Sequence, residues 1–161
     1  MALQQRFAAT SHTPTKGLSH FSGDEQTQYG LVTPLNNDTA HELKRIFHQL
    51  TQALEVLRNL GHLLGGEQRE RARPALQRWL QPNARAAEQA MHDLRSLRLI
   101  KSPALTDLSQ SLTVLVLAAD MLAEGHLSGA DTLAFSDLLK RNTLGALDAL
   151  DMLREQCRVE A

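Results

Sequence analysis

Two histidines near the start of the first long apolar-periodic segment have a spacing at which side chains could act together. His41 and His48 are seven residues apart, which is about two turns of an α-helix, so both imidazoles would share one face. An imidazole can accept a phosphoryl group covalently, and His41 begins a His-Glu-Leu triplet. Both histidines are therefore candidate phosphoacceptors, although a solvated helix position is the simpler interpretation of each.

Other catalytic and metal-binding patterns are missing from the sequence. The histidines show neither the His-x-x-x-His nor the His-Glu-x-x-His spacing of a helical zinc site, and no strand-borne glycine-rich loop could hold a nucleotide phosphate. There is no nucleophile elbow and no arrangement of paired carboxylates. His62 and His126 follow glycines in two similar turns, where they can interact with helix C-termini. The sequence therefore predicts a protein that is not an enzyme and holds no metal or cofactor.

Composition favours helices packed by aliphatic side chains. Of the 161 residues, 42 % are apolar and only 4 % aromatic, a mixture that disfavours a β-sandwich. The formal net charge of −1 provides no global attraction to nucleic acid or to an anionic membrane. No apolar run approaches the roughly 18–20 residues of a membrane span, so we expect no membrane insertion. Cys157 is the single cysteine and cannot form an internal disulfide, which indicates a cytoplasmic protein.

One segment, residues 69–101, is locally basic. Acidic residues within it and just before it dilute that charge, so a solvated helix face is the first interpretation. An acidic partner surface is the second interpretation, and nucleic acid is the third. The cationic residues are Arg69, Arg71, Arg73, Arg78, Arg85, Arg95, Arg98 and Lys101.

The chain divides into a tail and one helical domain. Residues 1–37 are rich in Thr, Ser, Gln and Gly and show no sustained periodicity, which predicts a flexible tail. Residues 38–158 form the domain. In its first helix, apolar residues recur at steps of three and four, as one buried stripe requires. These residues are Leu43, Ile46, Phe47, Leu50, Leu54, Leu57, Gly61 and Leu64.

Capping and breaking residues predict where the first two helices begin and end. Asp38 or Thr39 should cap the first helix, with Glu42 completing a capping box, and Gly65-Gly66 should end it. The second helix should run from about residue 67 to 100, and Pro82 should kink it or break it in two. Its apolar stripe includes Leu76, Trp79, Leu80, Ala87, Met91 and Leu94.

The same signals define two further helices. Ser102-Pro103 is a cap followed by a first-turn proline and should open the third helix, which ends near Glu124. Its almost wholly apolar segment 112–119 predicts the most buried element of the domain. Ser128 with Asp131 should cap the fourth helix. Four helices with short connections predict an all-α, up-and-down bundle.

The two halves of the domain resemble each other. When residues 75–95 are laid over 134–154 without a gap, an asparagine and an arginine match along with several alanines and leucines. In the first helices, Leu50-Thr51 falls on Leu112-Thr113, and the turns containing His62 and His126 also agree. The sequence therefore predicts two tandem hairpins, 38–100 and 101–158, related by a pseudo-twofold axis.

Residues 106–115 of the second hairpin read Thr-Asp-Leu-Ser-Gln-Ser-Leu-Thr-Val-Leu, and Arg141-Asn142 precede regularly spaced leucines in the last helix. Both patterns resemble the dimerisation and phosphoacceptor domain of sensor histidine kinases. In that family a histidine, an acidic residue and an aliphatic residue precede a proline and Leu-Thr or Leu-Ala, and an Arg-Asn pair often marks the second helix. The resemblance implies that two hairpins of one chain replace the two subunits of the family's four-helix core.

The departures from this family are as informative as the matches. The phosphoacceptor histidine falls on Thr106 in the second hairpin and on Lys44 in the first, and the proline falls on Ser111. A threonine phosphate ester is too stable to pass its phosphate to a receiver, and a lysine is normally protonated at neutral pH. The resemblance therefore implies a non-catalytic interaction module, a monomeric pseudo-dimer that binds a receiver domain or a histidine kinase. A homodimer is the other possible state.

The family docks its receivers beside the acceptor position, which defines the expected partner-binding residues here. The first-half set is the favoured face because arginine and phenylalanine anchor interfaces, although Phe47 could instead complete the core stripe. Two other functions remain open: an active histidine phosphotransferase that uses His41 or His48, and a helical adaptor or chaperone unrelated to phosphosignalling. The expected interface comprises Lys44, Arg45, Phe47 and His48 with Thr106, Asp107, Ser109 and Gln110.

Overall fold

The computed structural model describes residues 30–31, 34–125 and 131–158. The protein is an all-α four-helix bundle, which confirms the predicted fold class. Around the bundle, each helix packs against the next, and the fourth returns to pack against the first. The helices are α1 (Asn37–Gly65), α2 (Arg69–Ser96), α3 (Pro103–Ala123) and α4 (Thr132–Cys157).

The bundle core is leucine-rich and continuous from end to end. Leu50, Leu80, Leu115 and Leu139 represent the four helices in it, and each is at most 1 % exposed. Burying a leucine contributes about 1.5–3 kcal/mol relative to exposure, so these stripes dominate the stability of the fold. The three- and four-residue spacing read from the sequence therefore places most of the core correctly.

The first helix begins earlier than predicted and uses a different cap. The Asn36 side chain accepts a hydrogen bond from the Thr39 backbone N–H at 2.7 Å, so Asn36 is the N-cap and neither Asp38 nor Thr39 is. Glu42 does not complete a capping box, because its carboxylate binds Arg45 instead. The predicted stop is confirmed: α1 ends at Gly65, and the following glycine is its C-cap.

The second helix is continuous through both of its prolines. The predicted break at Pro82 does not occur: Pro82 is exposed, while Leu80 and Ala84 on either side of it are buried against the core. Core packing on both sides of the proline outweighs the single backbone hydrogen bond that its ring removes. The helix ends at Ser96, four residues before the predicted end.

Two short strands lie beside the end of α2. Strand β1 (Gly30–Leu31) pairs antiparallel with β2 (Ile100–Lys101), with Gly30 opposite Lys101. Gly30 and Leu31 were assigned to the tail by the sequence, but Gly30 is buried, and a Cβ atom there would lie 3.6 Å from the Gln156 carbonyl oxygen. The remainder of the predicted tail up to residue 29 lies outside the described residues.

The third helix begins as predicted, but it is not the most buried element. The Ser102 hydroxyl accepts a hydrogen bond from the Ala104 N–H at 3.2 Å, and Pro103 occupies the first turn. On the outer face, Leu117 is 59 % exposed and Met121 is 54 % exposed. The prediction of greatest burial was wrong because α3 packs mainly against α2 and α4, so its outer face meets solvent although the helix is apolar.

Within the described residues, α3 is also the one helix long and apolar enough to cross a membrane by length and composition. The sequence prediction that no segment approaches this limit therefore needs correction. The core helix of a bundle passes the same test. The predicted Ser128 cap of α4 and the turn histidine His126 lie outside the described residues.

Candidate functional site

An arginine near the C-terminal end of each hairpin's second helix reaches the first helix of the other hairpin. Arg95 on α2 donates to the Ser109 hydroxyl on α3 at 2.6 Å. Arg154 on α4 donates to the Thr51 hydroxyl on α1 at 2.5 Å and to the Phe47 carbonyl at 3.4 Å. In the sequence overlay Arg95 falls on Arg154, and Phe47 falls on Ser109. The two arginines thus cross to the first helix of the other hairpin in the same way, but the short bond of Arg154 reaches Thr51, which overlays Thr113 and not Ser109.

Local hydrogen bonds repeat between the hairpins as well. The side chains of Asn83 and Asn142 each donate to the backbone carbonyl four residues earlier, at 2.7 and 2.9 Å. The hydroxyls of Thr51 and Thr113 do the same, at 2.8 and 2.9 Å. The asparagine match that the overlay identified therefore corresponds to the same bond in both halves.

The two seams between hairpins nevertheless differ. The α1/α4 seam is tight, because Gly61 and Gly65 leave room for α4, and the buried Ser136 hydroxyl donates to the Gly61 carbonyl at 2.7 Å. The residue that the overlay places at the position of Ser136 is Gln77, which is exposed and lines an open cavity with Ala123 in the α2/α3 seam. A glutamine at the position of a buried serine prevents the same close approach.

The predicted partner-binding residues of the first half do not form one surface. Phe47 is 1 % exposed and belongs to the core, so its predicted role as an exposed interface anchor was wrong. It continues the stripe of Leu43 and Ile46, which was the alternative interpretation of Phe47. Lys44 and His48 are exposed one turn apart, and their stripe continues to Thr51, which faces α4.

Arg45 lies instead at a groove between α1 and α2. Its guanidinium binds the Glu42 carboxylate and donates to the Gln49 side chain at 3.1 Å. The hydrogen bond from Arg45 lowers the pKa of Glu42, and the same bond, with Coulombic attraction to Glu42 and Asp93, raises the pKa of Arg45. Arg45 is thus exposed but already paired, so it is less available than the sequence suggested.

In the second half, Thr106, Asp107 and Gln110 are exposed, while Ser109 is half-buried because it receives Arg95. The candidate phosphoacceptors His41 and His48 are both exposed. Across residues 30–31, 34–125 and 131–158, no group of histidine, cysteine, aspartate or glutamate side chains could hold a metal ion.

Sequence reasoning missed the α1/α2 groove itself. Three alanines, Ala53, Ala86 and Ala90, line it between polar rims, and Arg45 and Asp93 stand at one end. Trp79 was predicted in the core stripe of α2, but it is 52 % exposed, so that assignment was wrong. The available signal was the alanine spacing on both helices, which leaves room where leucines would fill the surface.

Comparison of the chain with protein-family models finds no match, and searches of curated proteins and of solved structures find none either.

Proposed function

We propose that this protein is a non-catalytic helical interaction module of two-component signalling, in which two hairpins of one chain replace the subunits of a phosphoacceptor bundle. The observation that carries the proposal is that the overlaid residues Arg95 and Arg154 each donate a hydrogen bond across a seam to the first helix of the other hairpin. A duplicated hairpin that closes on itself fits a monomeric pseudo-dimer.

The two residues at the positions of the family's phosphoacceptor histidine support binding without phosphoryl transfer. Lys44 and Thr106 are both exposed, as a phosphoacceptor must be, yet neither side chain can pass a phosphoryl group to a receiver aspartate. Loss of the histidine removes the chemistry and leaves the helical surface around it. The proposed partner is accordingly a receiver domain or a histidine kinase in the cytoplasm.

Arg45, on the neighbouring α1/α2 side of the same helix, provides the test of partner binding by α1. Arg45→Glu should weaken binding of a cognate receiver or kinase by about fivefold to tenfold, since a reversed rim charge opposes association. Arg58→Glu is the matched control, because Arg58 pairs with Glu55 at 2.6 Å in the same three-residue geometry on the same helix. Equal affinity of both variants, or no binding to any receiver or kinase of the source cell, would reject the proposal.

An active histidine phosphotransferase is the second candidate, and the exposure of His41 and His48 favours it. The protein is incubated with a phosphorylated receiver, and acid-labile label is sought. Under the main proposal no label is transferred. Label that is lost in His48→Gln or His41→Gln would replace the main proposal with this one.

A further inference from the structure

Two exposed apolar side chains, called the apolar pair below, lie beyond the α1/α2 groove towards the turn that joins the two helices. Trp79, the single tryptophan of the chain, is 52 % exposed, and Leu63 on α1 is 46 % exposed. Arg45 and Asp93 flank the other end, and Gln49 and Gln89 follow one turn in. Arg45 thus lies opposite Asp93, and Gln49 lies opposite Gln89. The same antiparallel register places Trp79 opposite residue 59 of α1, one turn before Leu63.

Unpaired positive charge lies next to this apolar pair. Arg71 and Arg78 are seven residues apart on α2, which places them on one face, and both are exposed. Neither makes an ion pair with any residue of the described ranges. Arg71 lies in the first turn of α2, where a cation opposes the helix dipole, so helix stability does not explain it. Exposed arginines without an ion pair can attract an acidic partner surface.

The floor of the groove suits a helix. Ala53, Ala86 and Ala90 are small enough to let a third helix approach closely, and apart from Arg45 and Asp93 the other residues that line the groove are uncharged glutamines and an asparagine. The groove follows α1 from Arg45 to Ala53, and the face that continues from it to Leu63 gives a total length of about 27 Å. This length matches an amphipathic helix of about five turns, one of the recurring modes of peptide recognition.

We propose that the groove formed by α1 and α2 docks an acidic amphipathic helix from a partner protein. Its apolar face packs on Trp79 and Leu63, and its carboxylates lie beside Arg71 and Arg78. A second copy of this chain is a poor occupant, because a twofold contact through this face would bring these arginines towards one another. The inference does not depend on whether the partner belongs to two-component signalling.

Trp79 gives a direct measurement because no other tryptophan contributes to the fluorescence. The probe is a synthetic eighteen-residue helical peptide without tryptophan, with leucines on one face and glutamates on the other. Titration into the full chain should shift the Trp79 emission to shorter wavelength and saturate. Arg71→Glu combined with Arg78→Glu should raise the dissociation constant about tenfold. Arg141→Glu, an exposed arginine on α4, should leave it unchanged.

Several outcomes would overturn the inference. If a peptide with lysines in place of the glutamates binds equally well, attraction between its charges and the arginines does not drive docking. An unchanged dissociation constant in the double variant, with helix content verified by circular dichroism, would do the same. Preference for a single-stranded oligonucleotide would assign the face to nucleic acid. A dimer of the free chain that Leu63→Glu dissociates would assign it to a second copy.

Discussion

Arg154 on α4 crosses the α1/α4 seam and donates a hydrogen bond to the Thr51 hydroxyl of α1, 2.5 Å away. Its side chain is only 20 % exposed, and it also binds the Phe47 carbonyl. The overlaid Arg95 makes one bond, to Ser109, from an exposed position. Overlaid arginines thus cross both seams, but they bond to different positions of the first helices, and only Arg154 is largely buried, in keeping with the tight and open seams.

Truncating the two arginines should therefore have unequal effects. Arg154→Ala removes two seam contacts and leaves the part-buried carbonyl and hydroxyl of α1 without this donor, so the free energy of unfolding should fall by about 1–2 kcal/mol. Arg95→Ala, the matched variant, should change it by about 0.5 kcal/mol or less. Urea unfolding measures both. A larger loss from Arg95→Ala would contradict the difference between the seams.

Two glycine-to-alanine substitutions should change the stability of the bundle in opposite directions. A Cβ atom at Gly61 would lie 3.2 Å from the Leu139 Cβ and 3.4 Å from the Lys140 backbone nitrogen, neither of which can yield easily. Gly61→Ala should destabilise the bundle by about 1–3 kcal/mol through overpacking. At Gly145 the nearest atom is the Ser111 hydroxyl at 3.5 Å, an ordinary contact. Gly145→Ala should stabilise by about 0.5–1 kcal/mol through helix propensity. Thermal unfolding of both variants tests the signs.

The Ser136 hydroxyl should contribute measurably to the tight seam. Ser136 is fully buried and donates to the Gly61 carbonyl at 2.7 Å, so Ser136→Ala should lower the free energy of unfolding by about 1–2 kcal/mol. Thr132→Ala, at a half-buried residue in the first turn of α4, is a control expected to cost about 0.5 kcal/mol or less. Equal losses in the two variants would show that the hydrogen bond adds nothing.

Burial raises the pKa of the Cys157 thiol from 9.0 to about 11. Because the folded state disfavours the thiolate, this contribution to stability is fully present below pH 9 and is lost as the pH rises towards 11. Through this group the free energy of unfolding should fall with rising pH by less than about 1.4 kcal/mol per pH unit, which is the limit for one proton. Urea unfolding from pH 8 to 11 measures it, with Cys157→Ala as the control that should lack this component. A wild-type slope equal to that of the control would refute the assignment.

Several element boundaries followed from local chemistry. Gly65-Gly66 and Ser102-Pro103 act within one turn of the residues they cap or terminate, so the sequence predicts them without knowledge of the fold. The Asn36 cap was missed because four consecutive residues, Asn36, Asn37, Asp38 and Thr39, can all cap a helix, and only the backbone path selects one. The predicted break at Pro82 was wrong because the local penalty of the proline was weighed without the core packing on both sides, and the alternative of a kink stays a prediction.

The interface residues depended far more on packing. Lys44, Arg45 and Phe47 are close in sequence, yet the 100° step of a helix places them on the α4 side, beside the α2 groove and in the core, respectively. Trp79 has the spacing of a core residue but lies at the edge of the buried stripe, and its size leaves half of it outside.

The sequence by itself determined the helical class and the number of helices, because these follow from periodicity and from capping residues that act locally. Tertiary structure decided which side of each helix is covered. The α1/α4 seam closes because Gly61 faces a buried serine, whereas the α2/α3 seam stays open where Gln77 stands in that position. Such differences depend on the residue across the seam, and no pattern within a single helix contains that information.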